Sequence, residues 1–201
     1  ILVFAIAGIF YKEKKLVKAD RYRKFAVLIP GYKEDEVIVE VAKSALLQEY
    51  PMGLFDVVVI ADSFQPQTLN ELRTLPVKLI EVSFDKSTKS KALNKAMAIL
   101  NSSYDIAVIL DADNIMAPDF LVKINATFAQ GAFAVQGHRT AKNQNTSFAV
   151  LDAASEEINN HIFRKGHRVL GLSSAIIGSG MAFHYDYFKK LMAGVKAVGG
   201  F

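Results

Sequence analysis

The sequence predicts an α/β fold, a Rossmann-like, mainly parallel sheet flanked by helices, and three observations carry that expectation. Short β-branched runs alternate with longer segments of helical spacing, the pattern of strands joined by right-handed helical crossovers. The runs are apolar almost throughout, as strands are when both faces of a sheet are covered. Polar, chemistry-bearing residues fall just after the runs, where ligands of such sheets gather.

The strands are expected at "FAVLIP" (25–30), "DVVVIAD" (56–62), "VKLIEV" (77–82) and "DIAVIL" (105–110). Between them, "EDEVIVEVAKSALLQEY" (34–50), "PQTLNELRTL" (66–75) and "KSKALNKAMAIL" (89–100) read as helices. Pro118 opens a further helix through residue 129, since proline suits a first helical turn. A strand at 132–140, a long helix at 146–164 and a glycine-bounded strand and turn, "AIIGSGMAFHY" (175–185), complete the expectation.

Composition bounds the function. At 201 residues and 51% hydrophobic the chain supports one sizeable domain. The net charge of +4 is unevenly placed, because Lys12, Lys14, Lys15, Lys18, Arg21, Arg23 and Lys24 crowd one short segment against Glu13 and Asp20. The rest is near neutral, which argues against a nucleic-acid surface. There is no cysteine, hence no disulfide framework, no cysteine-based zinc site and no thiol nucleophile.

The first ten residues, "ILVFAIAGIF", are wholly apolar. Ten residues fall short of the roughly 20 that cross a bilayer, but they suit the end of a longer span. Basic residues directly after it mark a cytoplasmic side. The expectation is a membrane-anchored protein with its remaining chain in the cytoplasm; the alternative is a buried strand or helix of a soluble protein.

"VILDADNIMAPDFL" (108–121) places Asp111 and Asp113 one residue apart at the mouth of an apolar strand. In extended chain both carboxylates would face the same way and repel. Mn²⁺ or Mg²⁺ relieves that repulsion, taking one or two carboxylates and filling its other positions with water and phosphate oxygens. An EF-hand loop is excluded, since Ile115 and Met116 stand where an oxygen ligand and the glycine belong.

Taken in order, "VLIPGYKEDEVI", "VVVIADS", "KSKALNKAM" and "LDADNIMAPDFL" resemble the strand, turn and acid motifs of the family 2 glycosyltransferases of the GT-A fold, over residues 25–201. The resemblance implies an inverting transferase that moves a sugar from a nucleotide-diphosphate sugar, UDP-linked, to a glycan or lipid-linked acceptor at the cytoplasmic membrane face. It implies donor contacts at Pro30, Tyr32, Glu34, Asp62, Lys89, Asp111, Ala112 and Asp113, with metal at Asp111 and Asp113. Tyr32 is expected against base or ribose, Asp62 on the imide N–H of uracil, and Lys89 on phosphate at a helix start, with Lys91 behind it. Ala61 stands where many relatives carry a second acid.

The acceptor side is expected at Gly178, Ser179, Gly180 and Met181, with His138 and Arg139 toward the same rim; His161, His167 and His184 read as structural. On this reading residues 1–24 are a membrane-segment end with its basic stretch, 25–137 the nucleotide-sugar part and 138–201 the acceptor-side part of one domain. The family's catalytic base is expected beyond Phe201, after a segment like "VGGF", so the fragment alone should not turn over. Two alternatives stand. A haloacid dehalogenase-type phosphatase would use Asp111 as nucleophile, though Ile115 replaces its usual threonine. A membrane-tethered nucleotide-binding protein would bind without chemistry.

Overall fold

The computed structural model describes residues 1–12, 15–101, 103–140, 145–174 and 176–195. Lys14 of the basic cluster, Ala175 and the "VGGF" segment lie outside them. The described chain divides into two compact units, residues 17–135 with 178–201, and residues 1–16 with 136–177.

The larger unit is a three-layer sandwich. Its strands are β1 (Phe25–Tyr32), β2 (Phe55–Asp62), β3 (Lys78–Val82), β4 (Ile106–Ile109), β5 (Ala134–Gln136) and β6 (Met181–His184), in spatial order β3-β2-β1-β4-β6-β5. β1 pairs in parallel with β2 and β4, β2 in parallel with β3, and β4 antiparallel with β6. Alternation along β1 sends Phe25, Val27 and Ile29 to one face, against α2 (Ile38–Leu46), α3 (Pro66–Arg73) and α5 (Phe120–Ala129). Ala26 and Leu28 face the other side, against α4 (Lys89–Ile99) and α8 (Tyr185–Gly194). All five are fully buried, and each large apolar side chain removed from water contributes about 1.5–3 kcal/mol. The strand order reverses at β1, so the crevice opens between the carboxyl ends of β1 and β4.

The expected alternation therefore stands, but the strand expected at 132–140 is confined to β5, the helix expected to open at Pro118 starts at Phe120, and three further features differ. The helix expected at 34–50 is shorter, because Gln48 is drawn away: its amide donates to the Ala117 carbonyl at 3.0 Å and its oxygen accepts from Leu121 N–H at 3.2 Å. Gln48 thereby satisfies one of the free donors at the start of α5. β3 is not apolar throughout; it is the sheet edge, where Lys78 and Glu81 are exposed. α8 follows β6 directly and had no expected counterpart; Tyr185, Phe188 and Met192 on one of its faces are buried.

Three residues of the basic cluster serve packing. Arg21 pairs with Asp105 at 3.0 Å, the Lys24 N–H donates to the other Asp105 oxygen at 2.7 Å, and Arg23 donates to Asn125 at 3.3 Å.

In the smaller unit, α1 (Leu2–Ile9) packs on a helix that runs as α6 (Ser147–Asn159), a π-helical segment (Asn160–Gly166) and α7 (His167–Val169). Thr146 caps α6, accepting from Ala149 N–H at 3.1 Å. The approach is close: a Cβ on Gly8 would lie 2.8 Å from His161, and one on Gly166 would overlap the Phe4 backbone. Among the described residues no helix is long and apolar enough to cross a membrane.

Candidate functional site: the rim at the carboxyl ends of β1, β2 and β4

β1 and β2 end in register, with Pro30 opposite Ile60 and Tyr32 opposite Asp62. The next residue of each strand is left-handed, Lys33 at φ 55° and Ser63 at φ 59°. Such conformations cost a non-glycine residue about 1–3 kcal/mol and concentrate where function holds them. Each is tied to the neighbouring strand: the Lys33 N–H donates to the Asp62 carbonyl at 3.1 Å and the Ser63 N–H to the Val82 carbonyl at 3.3 Å.

Asp62 is fully buried. Its Oδ1 accepts from the Ser63 hydroxyl at 2.9 Å, while Oδ2 has no partner among the described residues. A buried carboxylate oxygen without a partner costs roughly 1–3 kcal/mol or more, so Oδ2 is an acceptor with capacity for a further donor. Beside it a cavity of about 360 Å³ is lined by Ala61, Ser63, Phe64, Leu69, Glu81, Val82 and Ser83. Phe64 and Leu69 offer an apolar wall and Ser63, Glu81 and Ser83 the polar groups, a lining that suits a planar heterocycle. Tyr32 is half-buried and Glu34 exposed at the same rim; the Glu34 carbonyl accepts from Ile38 N–H at 3.1 Å at the entry to α2.

The second part of the site is the acid turn after β4. Asp111 and Asp113 are not on extended chain, as the strand geometry suggested; β4 ends at Ile109 and the two acids sit in a turn closed by Asn114 N–H donating to the Asp111 carbonyl at 3.1 Å. Ala112 between them is buried and Asp113 exposed. The charge of Asp111 is balanced here by Lys89, whose ammonium donates to its carboxylate and, at 2.7 Å, to the Gly178 carbonyl.

Lys89 is the first residue of α4, whose N-cap Thr88 is buried and accepts from Lys91 N–H at 3.2 Å. The Lys91 ammonium turns away to the Lys86 carbonyl at 2.6 Å. Only Lys89 of the pair therefore reaches the acids.

Sequence reasoning missed what holds this turn. Ser179, almost fully buried, accepts from Asp111 N–H at 2.9 Å and from the Asn114 amide at 2.9 Å. Gly178 and Gly180 on either side are left-handed, at φ 78° and 66°, which glycine adopts without strain. Gly180 N–H donates to the Ile109 carbonyl at 2.8 Å, so the "GSG" turn is fastened to β4. Met181 starts β6 and faces Ile109 across the antiparallel pair. A serine between two glycines was a legible signal of a tight turn, but its partner 68 residues earlier was not. His138 and Arg139 belong to the smaller unit; His138 pairs there with Glu157 at 2.9 Å.

A divalent cation fits the acid turn. Asp113 has no ion pair among the described residues, and Asp111 already attracts a cationic group to the place where a metal's charge would act. No cluster of three or more acidic, histidine or cysteine ligands exists among the described residues. Two carboxylates alone suit Mn²⁺ or Mg²⁺ completed by phosphate oxygens and water.

The family model "Glycosyltransferase like family 2" matches residues 23–200. Hyaluronan synthase from Streptococcus pyogenes is 28% identical over 133 residues, 62% of this chain and 31% of that protein. Beta-monoglucosyldiacylglycerol synthase from Nostoc sp. is 26% identical over 162 residues, 77% of this chain and 34% of that protein. The chain thus spans about a third of the length of these curated relatives.

Among solved structures, mannosyltransferase PcManGT from Pyrobaculum calidifontis, in complex with GDP-Man and Mn²⁺, matches with a TM-score of 0.65 at 22% identity, covering 94% of this chain and 53% of that one. Glucosyl-3-phosphoglycerate synthase from Mycobacterium tuberculosis, in complex with Mn²⁺, UDP and phosphoglyceric acid, matches with a TM-score of 0.54 at 17% identity, covering 91% and 59%. These likenesses bear on the fold. With the family model spanning nearly all of the chain, and with strands, crevice and acid turn as described, this protein belongs to the glycosyltransferase like family 2 and has the GT-A fold.

Proposed function

We propose that this chain binds a nucleotide-diphosphate sugar, UDP-linked, and belongs to an inverting glycosyltransferase acting on a glycan or lipid-linked acceptor at the cytoplasmic face of a membrane. The observation that carries the donor reading is fully buried Asp62, whose Oδ2 has no partner among the described residues and whose chain neighbours Ala61 and Ser63 line the cavity beside β2. The imide N–H of uracil supplies the donor that oxygen lacks. Phe64 and Leu69 of the cavity lining receive the ring face, and Tyr32, opposite Asp62 at the end of β1, is directed to the ribose.

The diphosphate is then directed toward the start of α4, where backbone N–H groups and the helix dipole favour anions. Lys89 adds its charge at that point. Asp111 and Asp113 would hold the divalent ion, which when bound supplies Lewis-acid stabilisation of the charge that builds on the departing diphosphate. The Ser179 staple keeps Asp111 aimed during this exchange. The apolar α1 with basic residues after it supports the membrane placement. Family membership displaces the phosphatase alternative.

The test is the thermal midpoint with UDP, GDP and ADP, each with and without Mn²⁺. A ligand at 100 times its Kd stabilises by about 2.7 kcal/mol, which is about 5–11 °C for a domain of this size. A shift confined to UDP with Mn²⁺ supports the reading. A shift that is equal for all three nucleotides removes the role given to Asp62.

A further inference from the structure

The π-helical segment of the smaller unit has no part in the donor reading. An insertion of π geometry inside an α-helix is rare, destabilising by itself and concentrated at functional sites. Here it is held in place from both ends. His161 meets the Ala5 carbonyl at 2.9 Å, Gly166 receives the Phe4 backbone, and Asn160, nearly fully buried, donates to the Arg139 carbonyl at 3.2 Å.

The consequence of the extra residue in the turn is the position of Arg164. Its side chain is 15% exposed. One guanidinium nitrogen, Nη2, reaches Glu156 at a long 3.3 Å; the other, Nη1, is buried without a partner among the described residues. Leaving a charged donor bare in a buried place is costly, more so than for a neutral one.

Arg164 lines a cavity of about 320 Å³ together with Arg139, Glu156, Asn159, Phe163 and Ile177. Two arginines and one glutamate are among its lining residues, so the lining carries an excess of positive charge. The Arg139 backbone is fixed by Asn160, and the Ile177 end of the wall by its N–H donating to Gln136 at 2.9 Å. A bare buried guanidinium N–H, a second guanidinium and room for a small group are the requirements of a bidentate oxyanion site.

We propose that this cavity binds a phosphate-class oxyanion, recognised by Arg164 and Arg139. Arg164 supplies Nη1, which lacks an acceptor among the described residues and which a small side-chain turn would bring to the anion, and Arg139 neutralises the second oxygen. Phe163 and Ile177 give the cavity an apolar side, and the exposed Leu170, Leu172 and Ile176 lie close by in the chain. The phosphate can therefore come from a lipid headgroup or from a water-soluble ester. The inference stands apart from the donor reading, whose residues lie in the larger unit.

The test uses the full chain with two probes. One is inorganic phosphate at constant ionic strength, read by thermal midpoint. The other is phosphatidylcholine vesicles with and without phosphatidic acid, read by co-sedimentation. We expect binding that Arg164→Gln weakens by about tenfold or more, the value of one or two charge-assisted hydrogen bonds, and that Arg139→Gln weakens in the same direction.

Binding of both probes identifies a phosphate ester in general; binding of phosphatidic acid vesicles alone identifies the headgroup. Equal binding to pure phosphatidylcholine, binding unchanged in both variants, or no binding to either probe overturns the proposal. Should Arg164→Gln fail to fold, Arg139→Gln decides. The response to UDP with Mn²⁺, measured on the same samples, is expected to be unchanged in both variants, and its absence in the parent chain is a failure of the donor reading alone.

Discussion

The ammonium of Lys89 rests on the carboxylate of Asp111, the acid that also serves the divalent cation in the donor reading. Lysine and metal therefore compete for one carboxylate until a diphosphate arrives to take the ammonium. Replacing Lys89 by Met should have opposite effects in two conditions. Without nucleotide, Mn²⁺ should bind several-fold tighter; with UDP, the joint affinity should fall by about tenfold, since a charge-assisted contact to phosphate is lost. Titration followed by the Mn²⁺ paramagnetic resonance signal measures both, and the same sign in both conditions contradicts the competition.

Asp113 is exposed and carries no ion pair among the described residues. Asp113→Asn should leave the midpoint of the free protein within about 0.5 kcal/mol of the parent, as surface substitutions do, while abolishing the metal-dependent part of nucleotide binding. Calorimetry with UDP and Mn²⁺ checks it; unchanged affinity would remove Asp113 from the metal site.

At Asp62 the two effects separate. The buried carboxylate with one bare oxygen destabilises the free protein, so Asp62→Asn should hold or raise the midpoint while the Ser63 hydroxyl keeps its acceptor. UDP affinity should fall about tenfold, because an amide N–H then faces the imide N–H. Parallel melting and binding curves suffice.

Ser179→Ala removes the acceptor for both Asp111 N–H and the Asn114 amide. The expected loss is about 1–3 kcal/mol of stability, the cost of stranding buried donors. Metal affinity should weaken with it, since the acid turn loses its anchor. A stability loss without change in Mn²⁺ binding would show that the turn keeps its shape unaided.

Asp56 makes one contribution to stability that depends on acid pH. Burial works to raise the carboxyl pKa of Asp56, but hydrogen bonds from Tyr104 at 2.7 Å and Lys78 at 3.0 Å outweigh it and hold the pKa below its ordinary value. A depressed carboxyl stabilises the fold above its unfolded pKa of 3.8 and loses that contribution as pH falls through the folded value. Asp56→Asn should therefore lower the midpoint near pH 7 and converge with the parent at strongly acid pH. Parallel curves across the range would contradict the assignment.

Which of these features the sequence announced follows from their range. The three helices that follow β1, β2 and β3 and the position of the acids after β4 rest on local pattern: β-branched runs, Pro66 at a first turn, and Thr88 three residues before the N–H it caps. The early end of α2 was not legible, because Gln48 leaves the helix for a carbonyl 69 residues away. Nor was the turn geometry of Asp111 and Asp113, since a four-residue strand looks the same in sequence whether it stops at Ile109 or runs on.

By itself, the sequence determined the alternation of strands and helices, the two-sided burial of β1, β2 and β4, and the residue types collected at their carboxyl ends. These follow from periodicity and from the fixed geometry of strand and helix, which act over a few residues. Tertiary structure decided the rest: β6 inserted antiparallel beside β4, Lys89 set on Asp111 across 22 residues, Ser179 holding the acid turn, and Asp62 buried with one oxygen bare. Each of these joins groups from distant parts of the chain. Their meeting is set by which apolar faces must be covered together and by the need of every buried polar group for a partner, and neither is written in local pattern.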